Sequence, residues 1–208
     1  MKRLYLLRHG QTEFNVKKLV QGRCDSPLTD LGRQQARTAA AWLKGHDVVP
    51  DKVVSSPLGR AMDTAQLVAT ELLGPDAAVE PCVGIIERCY GSFEEGPHDV
   101  LPTDVWDPGE DLVPFGGEGS HALQERMVGT LTNIMGADGI ETLLAVSHGS
   151  ASRQFIKAAA PEGFELPTKL PNCAIMIFDF EEEKSGEEGD APQSKFILQQ
   201  IIDPQQSN

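Results

Sequence analysis

Polar side chains that could act on a phosphate group follow three apolar segments of the chain. Arg8 and His9 come directly after the first segment, Arg60 begins a predicted helix after the second, and His148 follows a later one. Arginine side chains bind phosphate oxygens through paired hydrogen bonds and stay charged at all relevant pH values. A neutral histidine can attack phosphorus and hold the phosphoryl group, and a second, protonated histidine can balance the charge. These residue types therefore predict phosphoryl transfer, with a carboxylic acid needed to protonate the leaving alcohol.

The segments that must position these side chains alternate between strand and helix patterns. Apolar runs predict strands at 3–7, 52–55 and 142–147, and a terminal hairpin at 173–180 and 195–202. Capping residues and 3.6-residue periodicity predict helices from Thr29 to Gly45, from Pro57 to Gly74, from a cap at Ser120, and over 150–159. This order predicts an α/β fold, with a mostly parallel central sheet, helices on both faces and an antiparallel edge strand or terminal hairpin. In such a sheet ligands bind beyond the carboxyl ends of the strands, where the arginines and histidines are expected to meet.

One long segment departs from this pattern. Residues 91–119 are rich in proline and glycine and lack periodicity, so we expect a lid or insert within a single domain spanning 1–208. Between Cys89 and Glu125 there are nine acidic residues and no lysine or arginine. The apolar side chains of this segment are expected either to cover a substrate group or to hold the lid against the core; they are Val105, Trp106, Leu112, Val113 and Phe115. The acidic stretch 181–190 is predicted to be a solvated hairpin loop.

Composition and charge exclude several function classes. The chain has 208 residues, with 31 Asp and Glu against 18 Lys and Arg, giving a net charge of −13. This charge argues against nucleic-acid binding and against an anionic membrane surface as partners. The four cysteines form no CxxC pair, and no ligand cluster with metal spacing is found, so neither a metal nor a cofactor is expected. No apolar run reaches membrane-spanning length, and we expect a cytoplasmic protein whose oligomeric state the sequence leaves open.

The motifs as a set resemble those of the histidine phosphatase superfamily, the phosphoglycerate mutase-like proteins. The matching segments, in order, are LYLLRHGQTEFN at 4–15, QGRCDSPLTDLGRQQA at 21–36, VVSSPLGRAMDTA at 53–65, ERCYGSFEE at 87–95 and AVSHGSASR at 145–153. They span most of the chain, so the resemblance is specific. It implies the same α/β fold and a phosphohistidine intermediate.

The resemblance also implies a role for each matching residue. His9 would be the nucleophile, and Arg8, Arg60 and His148 would form the phosphate pocket with catalytic roles. Glu87 would be the general acid and base. Further substrate-binding positions would be Asn15, Gln21 and Gly22. Gly10 would be kept small because its backbone lies close to the nucleophile and orients the His9 ring.

The family contains both mutases and phosphatases, and the sequence favours the phosphatases. A mutase must bind a carboxylated, phosphorylated intermediate, and nine acids without a lysine or arginine between 89 and 125 would repel such a ligand unless they point away from it. Lys17 and Lys18, near the pocket loop, could supply part of the missing charge. We therefore expect hydrolysis of a small phosphorylated metabolite, with a cofactor-dependent phosphoglycerate mutase as the alternative. A catalytically inactive phosphate-binding or interaction module is a second alternative.

Overall fold

A computed structural model describes residues 1–161, 163–182 and 194–206. In chain order, the helices and strands are β1 (Lys2–Arg8), α1 (Glu13–Lys17), α2 (Asp30–Gly45), β2 (Lys52–Ser55), α3 (Gly59–Leu73), β3 (Glu80–Pro81), α4 (Ser120–Met135), β4 (Thr142–Ser147), α5 (Gly149–Ala159), β5 (Ile175–Glu182) and β6 (Ser194–Ile202). The predicted helices and strands are thus present, with ends that shift by a few residues. The short α1 and β3 were not predicted, because five- and two-residue elements are too short to show a periodic pattern.

The strands form one sheet in the order β3-β2-β4-β1-β5-β6. The pairs β3–β2, β2–β4 and β4–β1 are parallel, whereas β1–β5 and β5–β6 are antiparallel. The mostly parallel sheet with a terminal antiparallel hairpin is therefore confirmed. The register of β1 and β4 places Arg8 opposite Ser147, so the residues that follow these two strands leave the sheet side by side.

Helices cover both faces of the sheet, as predicted. Along β1, Leu4 and Leu6 face one core cluster, which includes the apolar sides of α4 and α5. Tyr5 and Leu7 face the opposite cluster, which includes the apolar sides of α2 and α3. Successive side chains of a strand point to opposite faces of the sheet. A strand that is buried on both faces therefore needs a continuous run of apolar residues.

Two predicted helix starts are corrected by the structure. Gly119, not Ser120, is the N-cap of α4, because the Ser120 hydroxyl accepts a hydrogen bond from the buried Arg88 side chain instead of capping the helix. The helix after Pro57 begins later, at Gly59, where the backbone N–H of Gly59 donates to the Asp25 carboxylate at 3.1 Å. Both starts depend on side chains distant in sequence, which a local pattern does not show.

Residues 91–119 contain three short 3₁₀ turns, Gly91–Phe93, His98–Val100 and Val113–Phe115, joined by irregular backbone. A small apolar cluster anchors the segment; its buried members are Val20, Tyr90, Leu101 and Leu112. Of the acidic stretch 181–190, Glu181 and Glu182 belong to β5, and the rest lies outside the described residues. In the described part of the chain, none of the helices is long and apolar enough to span a membrane.

The turn after β1 packs directly against the first turn of α2. A Cβ atom at Gly10 would lie 2.4 Å from the carbonyl oxygen of Gly32, and one at Gly32 would lie 2.1 Å from the carbonyl oxygen of Gln11. Either distance is shorter than van der Waals contact allows. Gly10 is therefore required by its contact with α2, in addition to any effect on His9.

We predict that Gly32→Ala lowers the free energy of unfolding by about 1–3 kcal/mol, because the methyl group must displace the backbone that follows His9. Urea unfolding of wild type and variant measures the difference. Gly45→Ala, at the other end of the same helix, is the matched control, since nothing lies within 4 Å of its added Cβ and alanine favours helix. A Gly32→Ala protein as stable as the control would contradict the close contact.

Candidate active site

Three neighbouring parallel strands deliver polar residues to the same edge of the sheet. β1 ends before His9, β4 ends before His148, and β2 ends before Ser56. The His9 N–H donates to the Ser147 carbonyl at 3.0 Å, and the rings of His9 and His148 lie 5.2 Å apart between centroids. The two histidines, 139 residues apart in sequence, are brought together by the β1–β4 pairing.

The ring of His9 has a defined tautomer. Its Nδ1 lies 2.7 Å from the Gly10 carbonyl oxygen, which can only accept, so Nδ1 carries the hydrogen and Nε2 keeps its lone pair. Burial, with the positive charges of Arg60 and Arg8, holds the pKa of His9 well below its usual value. At neutral pH, His9 is therefore an uncharged imidazole with a free lone pair on Nε2.

His148 lies behind His9 and is fully buried. Its Nε2 is 2.7 Å from the Ser56 hydroxyl. Burial, followed by the charge of Arg60, holds the pKa of His148 well below its usual value, which disfavours the imidazolium form in the free protein. A bound phosphate dianion would raise this pKa, because an opposite charge favours the imidazolium form.

Arg8 and Arg60 carry the positive charge of the site. Arg60 donates to the carbonyls of Gly22 and Cys24, both at 2.7 Å, and Arg8 donates to the Leu170 carbonyl. Burial lowers the pKa of Arg8 to about 10, so its guanidinium stays charged at neutral pH. Within the described residues, the Nε atoms of Arg8 and Arg60 are buried and have no hydrogen-bond partner.

The carboxylate of Glu87 is held at the first turn of α5. One oxygen accepts from the N–H groups of Arg88 at 2.8 Å and Ala151 at 2.9 Å, and the other accepts from the Ser150 N–H at 3.2 Å. The N-terminus of a helix is a favourable place for a carboxylate. Glu94 does not line the cleft, and its carboxylate accepts hydrogen bonds from the N–H of Tyr90 and the thiol of Cys24.

The neighbouring Arg88 fixes this arrangement from behind. Its fully buried guanidinium donates to the hydroxyls of Ser150 and Ser120, both at 2.9 Å, and to the Glu118 carbonyl at 2.7 Å. One side chain thus joins the end of the 91–119 segment to the starts of α4 and α5.

The structure brings seven of the eight predicted site residues to the wall of one cleft; they are Arg8, His9, Asn15, Gln21, Gly22, Arg60 and Glu87. His148 is the exception, since it contacts this group from behind and does not line the cleft. The remaining lining residues are Leu19, Val20, Tyr90, His98, Val105, Trp106, Gly149 and Ser150.

The Asn15, Gln21 and Gly22 positions are set by local hydrogen bonds. The Asn15 amide oxygen accepts from the Thr12 N–H at 3.1 Å, and the Gln21 amide oxygen accepts from the Thr12 hydroxyl at 2.9 Å. Gly22 has a φ of 51°, and a Cβ there would lie 2.2 Å from a carboxylate oxygen of Glu94. Contacts with Thr12 and Glu94 therefore fix the cleft wall at Asn15, Gln21 and Gly22.

None of the nine acidic residues between 89 and 125 lines the cleft, so they make no direct contact with a ligand there, although the charge of Glu94 still acts on Arg60. Glu118 instead pairs with Arg126 at 2.7 Å, and Asp107 pairs with Lys157. Lys17 and Lys18 do not line the cleft either, and Lys17 lies 4.0 Å from Glu13. Their expected contribution to substrate charge is therefore not supported.

Sequence reasoning missed several residues that hold the site. Ser56 contacts His148, the Thr64 hydroxyl accepts from the Gly10 N–H at 3.1 Å, and the Asn172 amide donates to the His9 carbonyl at 3.1 Å. Ser56 follows the end of β2, so the strand-end rule that found the histidines could have found it. Thr64 and Asn172 carry no comparable signal.

This arrangement can bind a phosphate group between two guanidinium groups, beside an uncharged imidazole and a carboxyl group. Among the described residues, no group of three or more His, Cys, Asp or Glu side chains is arranged to hold a metal ion.

Comparison with known proteins gives a consistent result. The sequence model of the histidine phosphatase superfamily (branch 1) matches residues 4–188. The chain is 31% identical over 193 residues to a Cronobacter sakazakii protein named probable phosphoglycerate mutase, covering 88% of this chain and 86% of that one. It is 32% identical over 182 residues to a broad-specificity phosphatase of Saccharomyces cerevisiae, covering 86% and 79%.

Solved structures agree with the sequence matches. The phosphoserine phosphatase of Entamoeba histolytica superposes with a TM-score of 0.67 at 29% identity, covering 96% of this chain and 98% of that chain. A Bacillus stearothermophilus protein, YhfR, superposes with a TM-score of 0.75 at 26% identity, covering 95% of each chain. With the family match over most of its length, the chain belongs to the histidine phosphatase superfamily, branch 1.

Proposed function

We propose that this chain is a metal-independent phosphomonoesterase that hydrolyses a small phosphorylated metabolite through a phosphohistidine at His9. The observation that carries the proposal is the uncharged His9 ring, whose Nδ1 is bonded to Gly10 and whose Nε2 is free, in a cleft shared with Arg8, Arg60 and Glu87. A nucleophile, an anion-binding pair and an acid are thereby combined in one cleft.

In the first step, Arg8 and Arg60 bind the phosphate oxygens, and the Nε2 lone pair of His9 forms a bond to phosphorus. The ester P–O bond breaks, and Glu87 acts as the general acid that gives a proton to the leaving oxygen, so that an alcohol departs. Negative charge on the transferring group is balanced by the two guanidinium groups, which stay charged throughout. His148, once the phosphate raises its pKa, adds a third positive charge.

In the second step, the Glu87 carboxylate takes a proton from water, and the water oxygen attacks phosphorus. The N–P bond breaks, its electron pair returns to Nε2 of His9, and inorganic phosphate leaves. Glu87 is again in its acid form, so both residues are restored for the next turnover. The hydrogen bond from Nδ1 to Gly10 keeps Nε2 available in both steps.

The alternative within the family is a mutase, and relatives carry that name. A mutase must retain a phosphorylated, carboxylated intermediate. Among the residues that the structure describes, Arg8 and Arg60 are the only lysine or arginine side chains that line the cleft, and both belong to the first phosphate. The lack of a cation for the second anionic group supports hydrolysis. The second alternative, an inactive binding module, is opposed by the presence of the nucleophile and the acid in one cleft.

We predict that His9→Ala lowers kcat by on the order of 1,000-fold or more, because the variant loses the imidazole that lies with Arg8 and Arg60 and forms the bond to phosphorus. Phosphate release measures turnover, and acid-labile labelling from a ³²P-substrate measures the intermediate. His121→Ala, which removes an exposed histidine outside the cleft, is the control and is expected to keep both signals. Substantial turnover by His9→Ala would assign the nucleophile to another residue.

Glu87→Gln is expected to slow phosphorylation of His9 by an alkyl phosphate about 100- to 10,000-fold, and by p-nitrophenyl phosphate far less. The alkoxide needs a proton to leave, whereas nitrophenolate does not. Single-turnover rates isolate this step from later hydrolysis. Glu94→Gln is the comparison variant. Glu87 would lose the acid role if Glu94→Gln slowed phosphorylation by the alkyl phosphate more than Glu87→Gln does. It would also lose that role if Glu87→Gln slowed phosphorylation by both substrates equally.

We further expect that any turnover of 3-phosphoglycerate, supplied with catalytic 2,3-bisphosphoglycerate in EDTA, gives phosphate release and not isomerisation. The cleft offers cations for one anionic group, so an intermediate with two is held poorly. Free phosphate and 2-phosphoglycerate are followed together. Isomerisation faster than phosphate release would identify a mutase. If EDTA abolished phosphatase activity on every ester and an added metal ion restored it, metal independence would be contradicted.

A further inference from the structure

The part of the cleft beyond the phosphate-binding residues is formed mainly by apolar and aromatic side chains. These are Leu19, Val20, Tyr90, Val105 and Trp106, with His98 among them. Burial lowers the pKa of His98, so its ring is uncharged at neutral pH. Lys169 and Lys18 lie close enough to lower this pKa further, but neither lines the cleft.

Trp106 is the largest apolar surface of this region, and it contacts the phosphate-binding residues directly. The Arg8 guanidinium carbon lies 5.0 Å from the centre of the indole ring, within range of a cation–π interaction. A Cβ atom at Gly149 would lie 2.6 Å from the ring, so the indole packs on the first residue of α5. Trp106 is half-buried, with part of its surface on the cleft.

The residues on either side fix the position of Trp106. The Tyr90 hydroxyl donates to the Val105 carbonyl at 2.6 Å. The Asp107 carboxylate accepts from the Gln154 amide at 2.9 Å and pairs with Lys157. The segment is thus joined to the loop that carries Glu87 and to α5, so the indole is placed before any substrate binds. A preplaced flat surface loses little conformational entropy when a ligand packs on it.

We infer that Trp106 is a specificity-determining residue, which selects phosphate monoesters whose alcohol is uncharged and carries a flat or apolar group. The inference rests on the proposed phosphomonoesterase function and names its substrate class. With the phosphate held by Arg8 and Arg60, the esterified alcohol must extend along the remaining wall, where Trp106 and its apolar neighbours lie together with the uncharged His98 and Ser150. An anionic group on the alcohol would lose its hydration at this wall and would gain no contact with a lysine or arginine side chain in return.

Two substrates with the same phosphate and primary alkoxide chemistry test this inference, ethyl phosphate and 2-phenylethyl phosphate. Wild-type kcat/KM is expected to be about 10- to 100-fold higher for 2-phenylethyl phosphate, from burial of the phenyl group. Trp106→Ala should reduce this ratio by about tenfold, and Trp106→Phe, which keeps a flat apolar ring, should retain most of it. Any disturbance of Arg8 affects both substrates alike and cancels in the ratio.

Phe115→Ala is the matched control, because Phe115 is an exposed aromatic of the same 91–119 segment that does not line the cleft; its ratio should equal that of wild type. A ratio unchanged in Trp106→Ala, or equal wild-type rates for the two esters, would overturn the inference and leave the phosphatase function intact. A wild-type preference for 3-phosphoglycerate over 2-phenylethyl phosphate would also overturn it. Hydrolysis of none of these esters would instead refute the proposed function.

Discussion

The burial of two guanidinium groups at the end of the sheet governs the chemistry of the cleft. Removing water from Arg8 and Arg60 is costly, and backbone carbonyls together with the charge of Glu87 offset only part of the cost. The same positive field, added to burial, keeps His9 and His148 uncharged. An anion that enters the cleft therefore meets unbalanced positive charge and a histidine lone pair together. In the proposed mechanism, anion binding and the available lone pair of His9 both follow from the same buried charges.

These arginines also hold the loops that surround them, so the site and the local fold depend on each other. Arg60 bonds to the carbonyls of Gly22 and Cys24, which fixes the loop after α1. Arg8 bonds to the carbonyl of Leu170 in the loop before β5, while its outer face contacts Trp106. A change in either arginine would consequently disturb substrate-binding loops as well as the charge of the cleft.

The sequence predicts the strand-end part of the site well, for a physical reason. β1, β2 and β4 are buried on both faces, so their apolar runs are visible, and parallel strands bring their carboxyl ends to one edge. Leu170 and Asn172 could not be found in this way, because they lie in an irregular loop without periodicity. Leu170, moreover, acts through a backbone carbonyl, which every residue type possesses.

The acidic segment shows where charge counting fails. Nine acids between 89 and 125 suggest repulsion at the substrate, yet none of them lines the cleft and several have other partners. Glu118 meets Arg126, and Glu94 accepts from backbone N–H groups of the loops that line the cleft. A count of acidic residues gives only the net charge of a segment. Selectivity for a substrate depends on which side chains reach the cleft. The case against a second anionic group therefore rests on the wall itself, where the segment contributes His98, Val105 and Trp106 and no lysine or arginine.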